Sequence, residues 1–333
     1  MKPATGRNVG PVSNLETAPV EVACSASGAA GVEVLHPREV PLGGPRAMRV
    51  QRTLPQRQRS LVGAWCFIDH YGLPDGPAPT RMDVPPHPHT GLQTVSWLFG
   101  GGVEHRDSAG VRALVRPGEL NLMTAGAGIC HSEVSIGPDA ALHGVQLWVA
   151  LPDSHRDTGR DFANYAPPPI SLPGAVARVF LGELAGSSSP VRTFTPLLGA
   201  QLDLEPNAAL DIEVDPAFEH GLLCDSGPVA LGGTTLALAD LGYQGAGHST
   251  LHVRNLGDRP ARMLLLGGTP FGEQLVMWWN FVGRSHDDIV GYRRLWEDGD
   301  DRFGTVSGYQ GVVARLPAPP LPATRLRPRP STA

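Results

Sequence analysis

The stretch Pro85-Pro86-His87-Pro88-His89-Thr90-Gly91, PPHPHTG, sets two histidines two positions apart in a proline-rich run. In an extended strand, residues i and i+2 point to the same face, so both imidazoles project together at a spacing that can chelate one ion. Pro88 points the other way. It also lacks a backbone donor, which places the segment at a sheet edge or a strand start. On its own the pattern admits two readings: half of a metal site, or a surface histidine pair in a loop, the more frequent of the two.

A second pair shifts that balance. In GICHSEV (128–134), His131 and Glu133 stand in the same i, i+2 relation. The interval from His89 leaves room for several short strands that could bring the pairs side by side. Three imidazoles and one carboxylate would suit Fe(II) or its neighbours Mn, Ni, Cu, Co and Zn. A mixed imidazole and carboxylate set without thiolate argues against a structural zinc site.

The text around the pairs reads as many short strands. TGLQTVSWLFGG (90–101), VEHRDSAG (103–110), VRALVRPGELNLMTAGAGICHSEVS (111–135) and ALHGVQLWVALP (141–152) alternate apolar and polar residues between turn signals. The chain has 41 glycines and 33 prolines among 333 residues, nearly twice the usual share of roughly 12%. That density of turn formers predicts an all-β barrel or sandwich. A polar, proline-rich span follows, and then a second β-rich set from ARVFLGELAG to ARMLLLGG. One helix is predicted, in SHDDIVGYRRLWEDG, with Ser285 as cap, Asp288 completing a capping box, and Gly299 as terminator. It is expected to pack across the second domain.

Bulk properties exclude several classes. A net charge of -5 and no basic stripe argue against direct nucleic-acid binding. Cys24, Cys66, Cys130 and Cys224 form no CxxC pair and no disulfide framework. The opening MKPATGRNVGPVSN has no apolar signal core, and no run of about 18 apolar residues exists to span a membrane. The expectation is a cytoplasmic protein.

The frame around the histidines is more specific than the pairs. HPHTGLQTVSWLFGGGVEHRDSAG, RPGELNLMTAGAGICHSE and LHGVQLWVALP resemble the N-terminal domain of the pirin family, within the cupin superfamily. WWNFVGRSHDDI followed by FG is similar to the family's C-terminal domain. The similarity runs over about residues 33–315. It implies a bicupin: two cupin β-barrels packed face to face, with a short C-terminal helix. The boundaries expected are a disordered arm at 1–31, a metal-bearing barrel at 32–155, a linker at 156–190, a metal-free barrel at 191–315, and a Pro/Arg-rich disordered tail at 316–333.

The resemblance places the family's metal ligands on His87, His89, His131 and Glu133 and implies iron as the usual metal. It implies quercetin 2,3-dioxygenase-like chemistry, with Glu133 as base, a flavonol-like aromatic substrate and dioxygen. The alternative it carries is a non-catalytic, iron-dependent regulator that binds a protein partner. A third reading is a cupin acting on some other small molecule. An intact ligand set with open positions favours chemistry. One departure stands out: Gln93 occupies a position where many pirins have Glu, which is expected to remove a charge from the metal's surroundings.

Other residues carry weaker expectations. His105 is read as structural, in a hairpin near the barrel mouth. His143 and Gln146 are read either as cavity lining or as barrel packing. Cys130 should face away from His131. His220, His248 and His252 form no chelating pair. Trp278 and Trp279 are expected between the domains.

Overall fold

The computed structural model describes residues 31–42, 48–73, 81–137 and 141–328. The arm expected at 1–31 lies, apart from Gly31, outside the described residues. The described chain is almost wholly β, with one α-helix at His286–Glu297 and a short 3-10 turn at Asp153–His155. No helix among the described residues is long and apolar enough to cross a membrane.

Two barrels each combine a seven-stranded and a four-stranded sheet. In the first, the large sheet runs Asp161–Tyr165, Leu120–Thr124, Leu92–Gly100, His143–Ala150, Trp65–Tyr71, Arg49–Leu54, Arg38–Pro41. The small sheet runs Asp83–His89, Ile129–Ser135, Val103–Asp107, Arg112–Val115. Every pairing is antiparallel, as short strands joined by glycine turns allow. The second barrel repeats the plan.

The barrels meet through their large sheets. Val95, Trp97, Val145 and Leu147 of the first pack with Phe180, Leu197, Leu223 and Leu264 of the second in one apolar cluster. These positions alternate along their strands, so each sheet presents one face to its own barrel and one to the partner barrel. The tryptophan N–H groups in this seam are paired. The Trp65 indole N–H donates to the carbonyls of Leu198 and Gly267, at 3.1 and 3.2 Å, and Trp97 donates to Gln201 Oε1 at 2.8 Å.

Three domain boundaries differ from the sequence reading. Glu33–Leu35 pairs with Leu241–Gln244, so the start of the described chain belongs to the second barrel's sheet. The span read as a linker, 156–190, carries Asp161–Tyr165 on the first barrel and Ile170–Leu172 and Ala175–Leu181 on the second. Proline and polar residues there mark edge strands, where one face meets solvent and no second ladder is needed. The tail also differs: Leu316 and Ala318 are buried, Arg315 lies 3.7 Å over the Trp296 ring, and Trp296 donates to the Leu316 carbonyl.

The helix forms as its sequence predicts. Ser285 Oγ accepts from Asp288 N at 3.1 Å, Asp288 Oδ2 accepts from Ser285 N at 3.0 Å, and Gly299 terminates it at φ 75°. Its placement differs. Ile289, Tyr292 and Trp296 pack with Phe281, Phe303 and Cys130, against the outer face of the first barrel's small sheet, and not across the second domain. Trp278 and Trp279 join this same cluster rather than the seam between the barrels. The reason is the unpartnered apolar outer face of the small sheet, which only a returning chain can cover. Cys130 contributes to that face, pointing away from its neighbour His131. Cys66, Cys130 and Cys224 are free, and burial pushes each thiol up to about 12. Cys24 lies outside the described residues.

A second polar latch ties the barrels. Asp225 Oδ1 accepts from His70 Nε2 at 2.8 Å and from His143 Nε2 at 2.6 Å, while Oδ2 accepts from Arg262 at 3.3 Å. Burial works against the charge, yet the bonds from His143 and His70 outweigh it and hold the carboxyl at about 2. A carboxyl with a depressed folded-state pKa stabilises above its unfolded pKa and loses that contribution as pH falls through the folded one. The gap in unfolding free energy between the wild type and Asp225→Asn is therefore expected to shrink by about 2 kcal/mol as pH drops from 5 towards 2. Denaturant titrations across that range measure it, and a gap that stays constant would refute the latch.

Candidate metal centre

The small sheet of the first barrel positions the two histidine pairs. Asp83–His89 is its edge strand, paired on one side only, with Ile129–Ser135. His87 lies opposite His131 and His89 opposite Ile129, but Glu133 lies opposite Val84. The edge strand thus spends three residues where its partner spends two, a β-bulge at Pro85-Pro86. Prolines suit that place because a bulge and an edge leave donors unused. The open side of the edge is closed by Leu316, whose N–H donates to the Pro86 carbonyl at 2.9 Å.

His87, His89 and His131 converge with ligand-capable nitrogens all within 4.8 Å of one another. Their ring centroids are 4.3 to 5.1 Å apart. All three are buried, and burial depresses them: His87 to about 4, His89 and His131 well below the usual histidine range. They are therefore neutral, with lone pairs available. His87 Nδ1 bonds the Pro85 carbonyl at 2.8 Å, which assigns that nitrogen the proton and leaves Nε2 as acceptor. His89 Nδ1 and His131 Nε2 are buried without any hydrogen-bond partner. Orphaned buried nitrogens cost free energy unless something satisfies them, and a cation would do so.

Glu133 groups with His131 and His105, again within 4.8 Å, rather than with all three histidines at once. Burial raises its carboxyl above the usual range, and Ser96 Oγ donates to Oε1 at 3.3 Å. Ser96 also bonds Gln146 Oε1 at 2.9 Å. His87, His89, Glu133 and Gln146 share a pocket whose walls include Phe67, Met82 and Trp148. Phe67 and Trp148 stack at 4.0 Å, and Trp148 meets His89 edge-on. Three of the four predicted residues thus line one space, and His131, the member common to both clusters, stands beside it.

Three sequence readings change here. His105 is not peripheral: it is buried, 3.4 Å from His131 through their Nδ1 atoms and 3.2 Å from Asp107 through Nε2. Its signal was present in VEHRD, where His105 and Asp107 repeat the i, i+2 spacing on the neighbouring strand. His143 faces the second barrel through Asp225, whereas Gln146 lines the pocket. Gln93 does not face the metal. It shares a strand with Ser96, which points inward, but its parity matches Val95 and Trp97, which point to the seam. Its Nε2 donates to Thr124 Oγ1 at 2.9 Å, on that same seam side. Gln at this position spares the inter-barrel contact a buried charge and leaves the metal's surroundings untouched.

The family models described as Pirin and Pirin C-terminal cupin domain match residues 47–149 and 199–304. A Pseudomonas aeruginosa protein provisionally named a quercetin 2,3-dioxygenase is 43% identical over 86% of this chain and 89% of its own length. The chain belongs to the pirin family. A pirin-like protein of Caulobacter vibrioides is 36% identical over 75% of this pirin and 88% of its own length. The crystal structure of a quercetin 2,3-dioxygenase from Acinetobacter baumannii superposes on it with a TM-score of 0.82 at 38% identity, covering 90% of this chain and 98% of that one.

Proposed function

We propose that this pirin is a metal-dependent dioxygenase that opens flavonols of the quercetin type in the cytoplasm. The observation that carries the reading is the convergence of three neutral, buried imidazoles, two of which line an aromatic-walled pocket together with the Glu133 carboxylate. His87, His89, His131 and Glu133 would hold the metal. Fe(II), the first candidate among its neighbours, supplies Lewis acidity towards a deprotonated hydroxyl and redox chemistry towards dioxygen when bound. The relatives named as quercetin dioxygenases support the substrate class.

The chain's own residues do the rest. Glu133 takes the proton of the flavonol 3-hydroxyl on a carboxylate oxygen. Ser96, held by Gln146, keeps that carboxylate oriented. Phe67 and Trp148 offer the flat wall for the flavonol rings, and Met82 and Val84 exclude water. The conversion places both oxygen atoms of dioxygen in the ring-opened product and releases one ring carbon as carbon monoxide. The pocket holds about 30 Å³, room for a water molecule rather than a flavonol. A flavonol therefore reaches the floor only when the pocket widens.

The test is metal analysis followed by aerobic turnover of quercetin. One transition metal per chain and dioxygen-dependent loss of flavonol with carbon monoxide release are expected. Met82→Trp is expected to keep the metal and raise KM for quercetin at least tenfold. Stoichiometric metal with no flavonol consumed would overturn the substrate assignment.

A further inference from the structure

The second barrel carries a cavity of its own, with a volume of about 670 Å³, in the size range of small-molecule sites. It opens among the segments 182–191, 196–198 and 213–218. Its charged lining residues are all acidic: Glu183, Glu213 and Asp215. Phe218, Leu198 and Val214 supply apolar wall.

Beneath it lies a histidine with no partner. His220 is fully buried, and neither Nδ1 nor Nε2 has a hydrogen bond. On its strand, Leu222 and Cys224 share its face and belong to the interior of the second barrel. Its cross-strand neighbour is Gly267, and the next residue across is Leu198, a wall of the cavity. Gly267 leaves the imidazole room to lie across it: a Cβ there would meet His220 Cδ2 at 2.9 Å and Nε2 at 3.4 Å. The ring thus lies beside Gly267, and its centroid is 6.2 Å from that of Phe218, a wall residue, so His220 sits behind the lining. Burial pushes His220 down to about 4, so it offers a lone pair rather than a charge.

We propose that this cavity binds a small organic cation: an ammonium group carried on an apolar, ring-sized body. Three carboxylates without a basic residue in the lining repel anions and attract cations. The Phe218 face suits an ammonium neighbour, and the partnerless imidazole behind that wall adds no positive charge to oppose it. The site is separate from the metal centre and uses none of its residues.

Three probes with nearly the same body separate the possibilities: 2-phenylethylammonium, 2-phenylethanol and phenylacetate. Calorimetric titration into the full-length protein is expected to give binding of the ammonium at least tenfold tighter than the alcohol, with phenylacetate weaker still. Asp215→Asn and Glu213→Gln, both at exposed positions, are expected to weaken the ammonium severalfold without changing metal content. Binding should persist in His89→Ala, which separates this site from the first barrel. Equal binding of the three probes, or binding of none, overturns the proposal. So does binding that His89→Ala removes and Asp215→Asn leaves intact.

Discussion

His89→Ala is expected to strip the metal from the protein. The substitution removes one of three imidazoles that converge within 4.8 Å. Altering only the groups that orient metal ligands costs 10- to 100-fold in affinity or activity, so losing a ligand should cost at least about 100-fold. Metal content after dialysis is expected to fall from one per chain to none, and flavonol turnover with it. Thermal unfolding gives an independent readout. A metal that binds only the folded state raises the melting temperature with the logarithm of its free concentration over Kd, so added metal should stabilise the wild type and leave His89→Ala unmoved. Glu133→Gln keeps the three imidazoles and is expected to retain weakened metal binding while losing turnover. A His89→Ala protein that keeps stoichiometric metal would show that the ion sits elsewhere, with the His105, His131, Glu133 cluster as the alternative.

The second large effect concerns stability. Arg52 and Asp69 form a fully buried ion pair with two bonds of 2.7 Å, and the guanidinium lies 4.3 Å from the Phe67 ring centre. They sit opposite each other on adjacent strands, Arg49–Leu54 and Trp65–Tyr71. Asp69→Ala strands a buried cation and is expected to cost about 3–5 kcal/mol, whereas replacing both partners with apolar residues of similar volume should recover most of that loss. Denaturant unfolding of the single and double variants measures the difference. A single variant that loses less than about 1 kcal/mol would mean that water reaches Arg52. Because Phe67 stacks on Trp148 in the pocket wall, the single variant is also expected to impair flavonol binding.

Much of this was legible in the residues. Two i, i+2 pairs of ligand-type side chains, set among alternating strands and glycine turns, pointed to one ion on one sheet, because strand alternation is a local rule. The capping box at Ser285 and Asp288 was equally local and formed as written. What the residues could not show was where separate elements dock. The helix at His286–Glu297 has an apolar stripe, but a stripe names no partner. It covers the first barrel because the outer face of the small sheet there has no other layer. The closeness of His105 to His131 was hidden for the same reason: that distance depends on strand pairing, not on spacing along the chain.

Gln93 marks the boundary between the two kinds of knowledge. Its identity was visible, and so was its departure from the family pattern. Its meaning depended on which face of the strand looks at the metal and which at the second barrel. The sequence by itself determined the fold class and the candidate ligand types, since these follow from alternation and side-chain chemistry within a few residues. Only the tertiary structure decided that Gln93 faces the seam, that His143 latches the barrels, and that His220 lies buried without a partner beneath the second cavity. Each of those depends on contacts between strands far apart in the chain, which no local pattern specifies.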